Sequence, residues 1–420
     1  MNIFDQLLAD NQIPKFVRVR HEMDHSHIDD IEGAVAQAMR REGTLDRIKP
    51  GDSVCITAGS RDVANIARII RAICDQVKSV GAHPFIIPAM GSHAGAKAEG
   101  QRGIIEGYGV TEEAMGAPIR ASMDTEVIAH SKSGLEIHLD KFANAADFLI
   151  PVGRIKAHTD FRGEVESGIC KMLVIGMGKQ HGAYQCHKLG FKSMAANVKE
   201  FAGAIIEKKP NMFAIGLIEN AYHQTCRIEA IPAGRILEEE PPLLEYAKSR
   251  MAKVPFDQAD ILFVDETGKD ISGAGMDPNV TGRSPVLGIS RPFFQRIAVF
   301  DLTDKSHGNF GGLGSADVTT QRLYRKIDFE QTYPNGITAV RLPAVMPSDR
   351  TAMQFALRTA TDCDWEKGPR IVWLKNTLSL SEFYISEALI PDAEVLDNVT
   401  IVSEPMEVIF DEEGNVKELR

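Results

Sequence analysis

A chain of 420 residues, 44% hydrophobic and 25% charged, exceeds one ordinary core and fits two or three domains of about 100–200 residues each. Its net charge of −11 is spread along the chain rather than gathered in blocks, which argues against nucleic acid or an anionic membrane surface as a partner. There is no run of about 18 apolar residues, and the start, Met1-Asn-Ile-Phe-Asp-Gln, lacks the basic and apolar regions of a signal peptide; a cytoplasmic protein is expected.

Taken in chain order, Ser53-Val-Cys-Ile-Thr57 reads as a buried strand and Ala58-Gly-Ser-Arg61 as its turn. From Asp62 apolar residues recur at 63, 66, 69, 70, 73 and 77, one face of a helix that Ser60 or Asp62 could cap. A glycine-containing turn opening a helix offers free N–H groups to a phosphate or carboxylate, and Arg61 would add a bidentate donor. An ordinary strand-to-helix turn reads the same way.

Strand 83–90 runs into Gly91-Ser-His93-Ala-Gly95, so a histidine sits between glycines at a strand exit. Residues 97–116 read as helical, 125–139 as two short strands and 146–153 as the next buried strand. That β-α-β-α-β order predicts an α/β fold with mostly parallel sheets. Directly after it come Arg154-Ile-Lys-Ala-His158, Cys170-Lys171, His181 and His187, titratable groups at the carboxyl end of a strand, where α/β folds place their ligands.

Further on, 192–208 reads as a helix, 213–218 as a strand and 243–254 as a helix. A second α/β unit opens with strand 260–265 and continues with strand 297–302, the glycine-rich loop His307–Gly314, helices near 316–327 and 349–361, and strand 371–374. The loop does not reproduce the dinucleotide fingerprint. The domains are therefore 1–255, 256–380 and a tail, 381–420, whose hairpin near 401–416 is expected to return to the first domain. Six cysteines without a CxxC pair suit a reduced compartment, and Cys170 and Cys186 read as small buried hydrophobes.

Taken singly, Arg61, His93, His158, Lys171 and His187 read as loop or core residues as readily as functional ones. Their order is more specific: an arginine in the first strand-to-helix turn, a histidine after the second strand in a Gly-x-His context, a histidine after a later buried strand, then lysine, then histidine sixteen residues on. In this the chain resembles a divergent branch of the nickel-pincer lactate racemase family, which racemises or epimerises 2-hydroxy acids.

The resemblance implies two α/β domains with the cofactor site in the cleft between them. It implies that Lys171 carries a nickel-pincer nucleotide covalently, that His187 completes the coordination of nickel, and that Ala58, Gly59, Ser60 and Arg61 cradle the cofactor phosphate, with Arg61 near the substrate carboxylate. His93 and His158 would be the acid/base pair, one for each face of the carbon; imidazole's ordinary pKa suits that task. The cofactor would take up the hydride and return it. Partners would be a small 2-hydroxy acid and the enzymes that build the cofactor and insert nickel; oligomeric state stays open, a homo-oligomer included.

The chain departs from the family between His158 and Lys171, where it is longer than expected, and in Gly268–Arg283. The latter keeps a Lys-Asp-Ile core at Lys269 but lacks the downstream Gln and Lys expected to touch lactate. Small residues and the polar Asp277, Asn279 and Arg283 stand there instead, pointing to a larger or more polar acid such as a sugar acid, although all three also suit turns and caps. His181, His223 and His307 read as structural, and His21, His25 and His27 as a weak metal site. The alternatives are a nicotinamide-type oxidoreductase of a hydroxy acid and a non-catalytic nickel-pincer nucleotide binding protein.

Overall fold

The computed structural model describes residues 3–60, 63–188, 190–284, 291–332 and 340–420. It is an α/β protein whose chain divides into two compact units, Asp24–Met251 and Met1–Met23 with Ala252–Arg420, called here the central and terminal units.

In the central unit, strand Ser53–Ala58 lies between two parallel neighbours, His83–Pro88 and Phe148–Ile150. Apolar groups occupy both of its faces, as a strand buried on both sides requires. Val54, Ile56 and Ala58 pack with Ile66, Ile69, Ile70, Ile73 and Val77 of helix Ile66–Ser79. Cys55 packs instead with Ile169, Leu173 and Met177 and with helix Met194–Lys208. Fully burying each isoleucine or valine contributes about 1.5–3 kcal/mol, so both layers clamp the strand whose exit matters below.

The strand expected over 146–153 divides at Pro151. Val152–Arg154 leaves the first sheet to pair in parallel with Phe213–Glu219, which in turn pairs antiparallel with Thr225–Pro232. Proline lacks the N–H a continuous central strand would donate. The helix expected from Asp62 begins at Ile66, with Asn65 as a left-handed N-cap whose side chain makes no capping bond. Ser60 therefore does not cap it, and Asp62 lies outside the described residues. The helix expected over 243–254 spans Ile236–Arg250, with Pro241 and Pro242 inside it; that proline pair hid its first half.

The terminal unit holds an eight-stranded sheet in the order Ala344–Met346, Val318–Thr320, Phe293–Leu302, Gln258–Thr267, Ile371–Leu374, Glu382–Ser386, Phe16–His21, Val399–Ile401. The first five are parallel and the last three run antiparallel. Part of the helix expected near 316–327 is strand Val318–Thr320, and helix Gln321–Arg325 follows it. The tail differs from expectation: two of its strands complete this sheet, while Val408–Phe410 and Val416–Leu419 form a hairpin whose Val416 N–H donates to Asp349 at 2.9 Å. Its apolar groups find their partners in the terminal unit's own core, where Phe410, Val416 and Leu419 pack with Phe16 and Trp373. No helix among the described residues is long and apolar enough to cross a membrane.

Candidate active site

Within the central unit, the exits of the parallel strands converge on the segment that carries Lys171. Helix Ile169–Lys171 runs into a π-helical turn over Met172–Gly176, in which the Met177 N–H donates to Met172 O at 2.9 Å. Such turns recur at functional sites. A Cβ on Gly59 would lie 3.3 Å from Met172 Cε, and one on Gly176 would lie 3.0 Å from Ala89 O. Gly91, at φ 61°, would place its Cβ 3.1 Å from Ile175 and 3.8 Å from the Ala183 Cβ. The close approach at Gly176 leaves no room for a side chain, which is why glycine stands there. The Ala58–Ser60 exit, the loop before His93 and the Lys171 segment are thus in mutual contact.

His158 is the best defined of the expected residues. Its ring stacks on Phe161, with centroids 4.1 Å apart, and its side chain is only 12% exposed. The Asp160 N–H donates to Nδ1 at 2.9 Å, so the neutral ring keeps its proton on Nε2. That nitrogen faces Lys171 Nζ at 2.5 Å, within hydrogen-bond distance. Burial, followed by the charges of Lys171, Lys156, Arg162 and His187, holds the His158 pKa well below its ordinary 6.5. The same charges mark His187 and Lys171 as electrostatic neighbours of His158.

Helix Lys179–His187 brings in His187. Its Nδ1 lies 2.5 Å from Ala183 O; Nδ1–H is then the donor and Nε2 carries the lone pair. A backbone carbonyl holding one ring nitrogen is how proteins orient a metal-ligating histidine. Among the described residues no group of three or more His, Cys, Asp or Glu side chains is placed to hold a metal ion. A single imidazole oriented in this way suits a metal that arrives with its other ligands on a cofactor.

His93 lies at the exposed end of its loop, preceding Ala94 and Gly95 with φ of 54° and 62°. The loop is held by Gln101 Nε2, which donates to Gly91 O at 2.9 Å and His93 O at 3.3 Å. Ser60 O accepts the Tyr108 hydroxyl at 2.7 Å. Arg61 lies outside the described residues. Cys170 and Cys186 are fully buried; burial pushes the Cys170 thiol well above its ordinary range and that of Cys186 up to about 12, which suits small hydrophobes. His181 meets Thr125 Oγ1 at 3.1 Å, beside His138.

Residues that no motif announced do the positioning. Glu166, fully buried, accepts the His158 N–H at 2.7 Å and binds Arg162 at 3.2 Å and Lys248 at 3.0 Å. Glu240, also buried, accepts the Cys170 N–H at 2.8 Å, next to Lys171. Lys179 and Asp140 form an ion pair at 3.2 Å with both side chains fully buried, and Lys179 also donates to Pro88 O. Burial opposes the charge on each, lowering the lysine pKa and raising the aspartate's. Phe161, Arg162 and Glu166 all lie in the stretch between His158 and Lys171 that is longer than expected; a charged residue with no periodic pattern gives no sign in sequence that it is buried.

The terminal-unit residues are engaged locally. Asp277 Oδ1 accepts the Asn279 N–H at 2.9 Å and its Nδ2 at 2.7 Å, capping helix Pro278–Thr281. Arg283 donates to Asp317 at 2.6 Å and to the carbonyls of Ser315, Phe294 and Gln295. Lys269 Nζ donates to Gly273 O at 2.6 Å. His21, in this unit, meets Leu380 O and Asn398 Nδ2, each at 3.2 Å, whereas His25 and His27 belong to the central unit.

Residues 4–198 match the family model described as the lactate racemase N-terminal domain. No curated protein matches the chain. Among solved structures, the lactate racemase apoprotein from Thermoanaerobacterium thermosaccharolyticum is similar at 17% identity and a TM-score of 0.47, over 81% of this chain and 79% of that one. A Thermotoga maritima protein is similar at 11% identity and a TM-score of 0.42, over 65% and 70%. The domain match supports a racemase-type function, that of an isomerase. Over residues 4–198, therefore, this chain is similar to a lactate racemase N-terminal domain.

Proposed function

We infer that the protein racemises or epimerises a 2-hydroxy acid while carrying a nickel-pincer nucleotide. The observation that carries this reading is the grouping of His158, Lys171 and His187, with His158 Nε2 2.5 Å from Lys171 Nζ and His187 oriented through Ala183 O. The residues fit the group: Lys171 would tether it, His187 would take the open position on nickel, and Ala58, Gly59 and Ser60, with Arg61, would meet its phosphate. When bound, the cofactor would accept the substrate hydride and give it back.

The remaining work falls to this chain. His158, neutral near pH 7 because burial and neighbouring cations disfavour its charged form, would exchange a proton with the substrate hydroxyl at one face of the carbon; to act as base it would release the Asp160 N–H from Nδ1 and adopt the tautomer whose Nε2 lone pair is free. His93 would serve the other face from its exposed loop. Glu166 fixes His158 through the backbone, and the Phe161 ring limits its rotation. The Lys179–Asp140 pair ties the start of the His187 helix to the end of strand His83–Pro88, the strand that leads to His93.

The choice of a longer, hydroxylated acid over lactate rests on the sequence departures in Gly268–Arg283. Within that loop Ser272–Gly275 contributes small side chains, while Asp277, Asn279 and Arg283 bond to neighbouring protein groups. The test is a panel of configurationally pure 2-hydroxy acids, incubated with protein produced alongside the cofactor-building enzymes and resolved by chiral chromatography. Inversion at C2, favouring four- to six-carbon acids, is expected. Nickel-loaded protein that inverts none of them contradicts the reading.

A further inference from the structure

The sheet of the terminal unit has a topological switch point. From Gln258–Thr267 the chain steps outward through Phe293–Leu302, Val318–Thr320 and Ala344–Met346, then returns to lay Ile371–Leu374 against the opposite edge of Gln258–Thr267. Successive connections diverge there, so the carboxyl ends of Gln258–Thr267 and Ile371–Leu374 flank a gap, the place where open α/β sheets take ligands. A cavity of about 520 Å³ opens at those ends, within the size range of small-molecule sites. Topology and cavity are independent observations that agree.

The chemistry of the cavity is specific. Asp265 reaches it from the end of Gln258–Thr267, and its Oδ1 accepts the Trp373 Nε1–H at 2.6 Å. Trp373 is wedged among Phe16, Phe263, Phe300 and Tyr384, so the carboxyl group is held in place. Its Oδ2 makes no hydrogen bond to a described residue. Burial pushes the Asp265 pKa up to about 6.

Two cations line the same cavity, Arg18 and Lys375, and neither forms an ion pair with a described residue. Arg322 is committed elsewhere, to Asp349 at 3.1 Å and Asp301 at 3.5 Å. The other acids are engaged too, Glu266 by Asn376 at 2.9 Å and Glu382 by Arg20 at 3.3 Å. Tyr384 stands in register with Arg18 on one side and Trp373 on the other, an aromatic floor between the cation and the carboxylate. Lys375 lies beside the acidic strand end, where its carbonyl accepts the Glu266 N–H at 3.0 Å, so a cavity lined by two cations, an acceptor oxygen and an aromatic ring matches a molecule with an anionic group, hydroxyls and a carbon face.

We propose that this crevice binds a small hydroxylated organic anion, with Arg18 and Lys375 meeting its carboxylate or phosphate and Asp265 accepting one of its hydroxyls. None of these residues belongs to the central unit, and the site does not depend on the racemase reading.

Calorimetric titration and saturation-transfer NMR on the full-length protein test it, with gluconate as the hydroxylated carboxylate, glucose 6-phosphate as the sugar phosphate and sorbitol as the uncharged comparator. Saturable binding of at least one anion and none of sorbitol is expected, and the tighter anion identifies the charged group. Arg18→Gln and Lys375→Gln, both at exposed positions, should each weaken binding about tenfold or more, the size of a lost charge-assisted hydrogen bond. Lys171→Ala should leave this binding unchanged. No saturable binding of either anion, binding of sorbitol as tight as that of the anions, or affinity unaltered in the Arg18→Gln/Lys375→Gln protein would overturn the proposal.

Discussion

His158 Nε2 and Lys171 Nζ lie 2.5 Å apart, thirteen residues apart in sequence. The Asp160 N–H on the far side of the ring settles which nitrogen faces the amine. A candidate acid/base group and a candidate attachment point are therefore in hydrogen-bond contact with one another, which makes His158 the residue whose replacement is most informative.

His158→Gln should cut turnover of the loaded enzyme by about 10²-fold or more, the usual size of an acid/base loss, with little change in melting temperature. His93→Ala should do the same from the opposite side of the substrate. Steady-state kinetics with either epimer as substrate would check this, and a variant with near-normal turnover would remove that residue from the mechanism.

Stability should depend on pH through the same histidine. Its folded-state pKa lies below the ordinary 6.5, so the unfolded chain binds the proton more readily. The stability it contributes is present above that ordinary value and is lost as pH falls toward the folded pKa. Denaturant midpoints should drop on acidification below about 6.5, the ordinary histidine range, and His158→Gln should make the drop shallower. An identical pH profile in wild type and variant would count against a buried, neutral His158.

The Lys179–Asp140 pair should be costly to break from one side only. Lys179→Met or Asp140→Leu alone leaves a charge at a fully buried position, at a cost of about 3–5 kcal/mol. The double variant Lys179→Met/Asp140→Leu should recover most of that loss, because two apolar groups leave no buried charge. Urea titrations of the four proteins would show this; additive losses would mean the two groups do not act as a pair.

His187→Ala should lower nickel retention in protein matured with the cofactor pathway while leaving the fold intact, since the side chain is exposed at the end of its helix. Elemental analysis after desalting is the readout, and equal nickel in wild type and variant would dismiss His187 as a ligand.

The sequence carried the parts of this fold that depend on periodicity. Strand Ser53–Ala58, the apolar face of helix Ile66–Ser79 and three of the five parallel strands of the terminal unit, Gln258–Thr267, Phe293–Leu302 and Ile371–Leu374, follow from runs whose spacing needs no partner to be read. What stayed hidden depends on long-range pairing. Phe16–His21 and Glu382–Ser386 are edge-side strands with exposed arginine and glutamate, and only their pairing across more than 360 residues makes them a sheet. Pro241 and Pro242 masked a helix that packing sustains through Leu243, Leu244 and Ala247. In the candidate site His158, Lys171 and His187 were legible from order and spacing, whereas Glu166 and the Lys179–Asp140 pair look like surface charges until the fold buries them.

The most direct test of the central claim is peptide mass spectrometry of Lys171 in protein produced with nickel and the cofactor-building enzymes and shown to invert a 2-hydroxy acid. A covalent mass increase on Lys171, absent from protein made without those enzymes, is the predicted result. An unmodified Lys171 in protein that is active as a racemase or epimerase would contradict it.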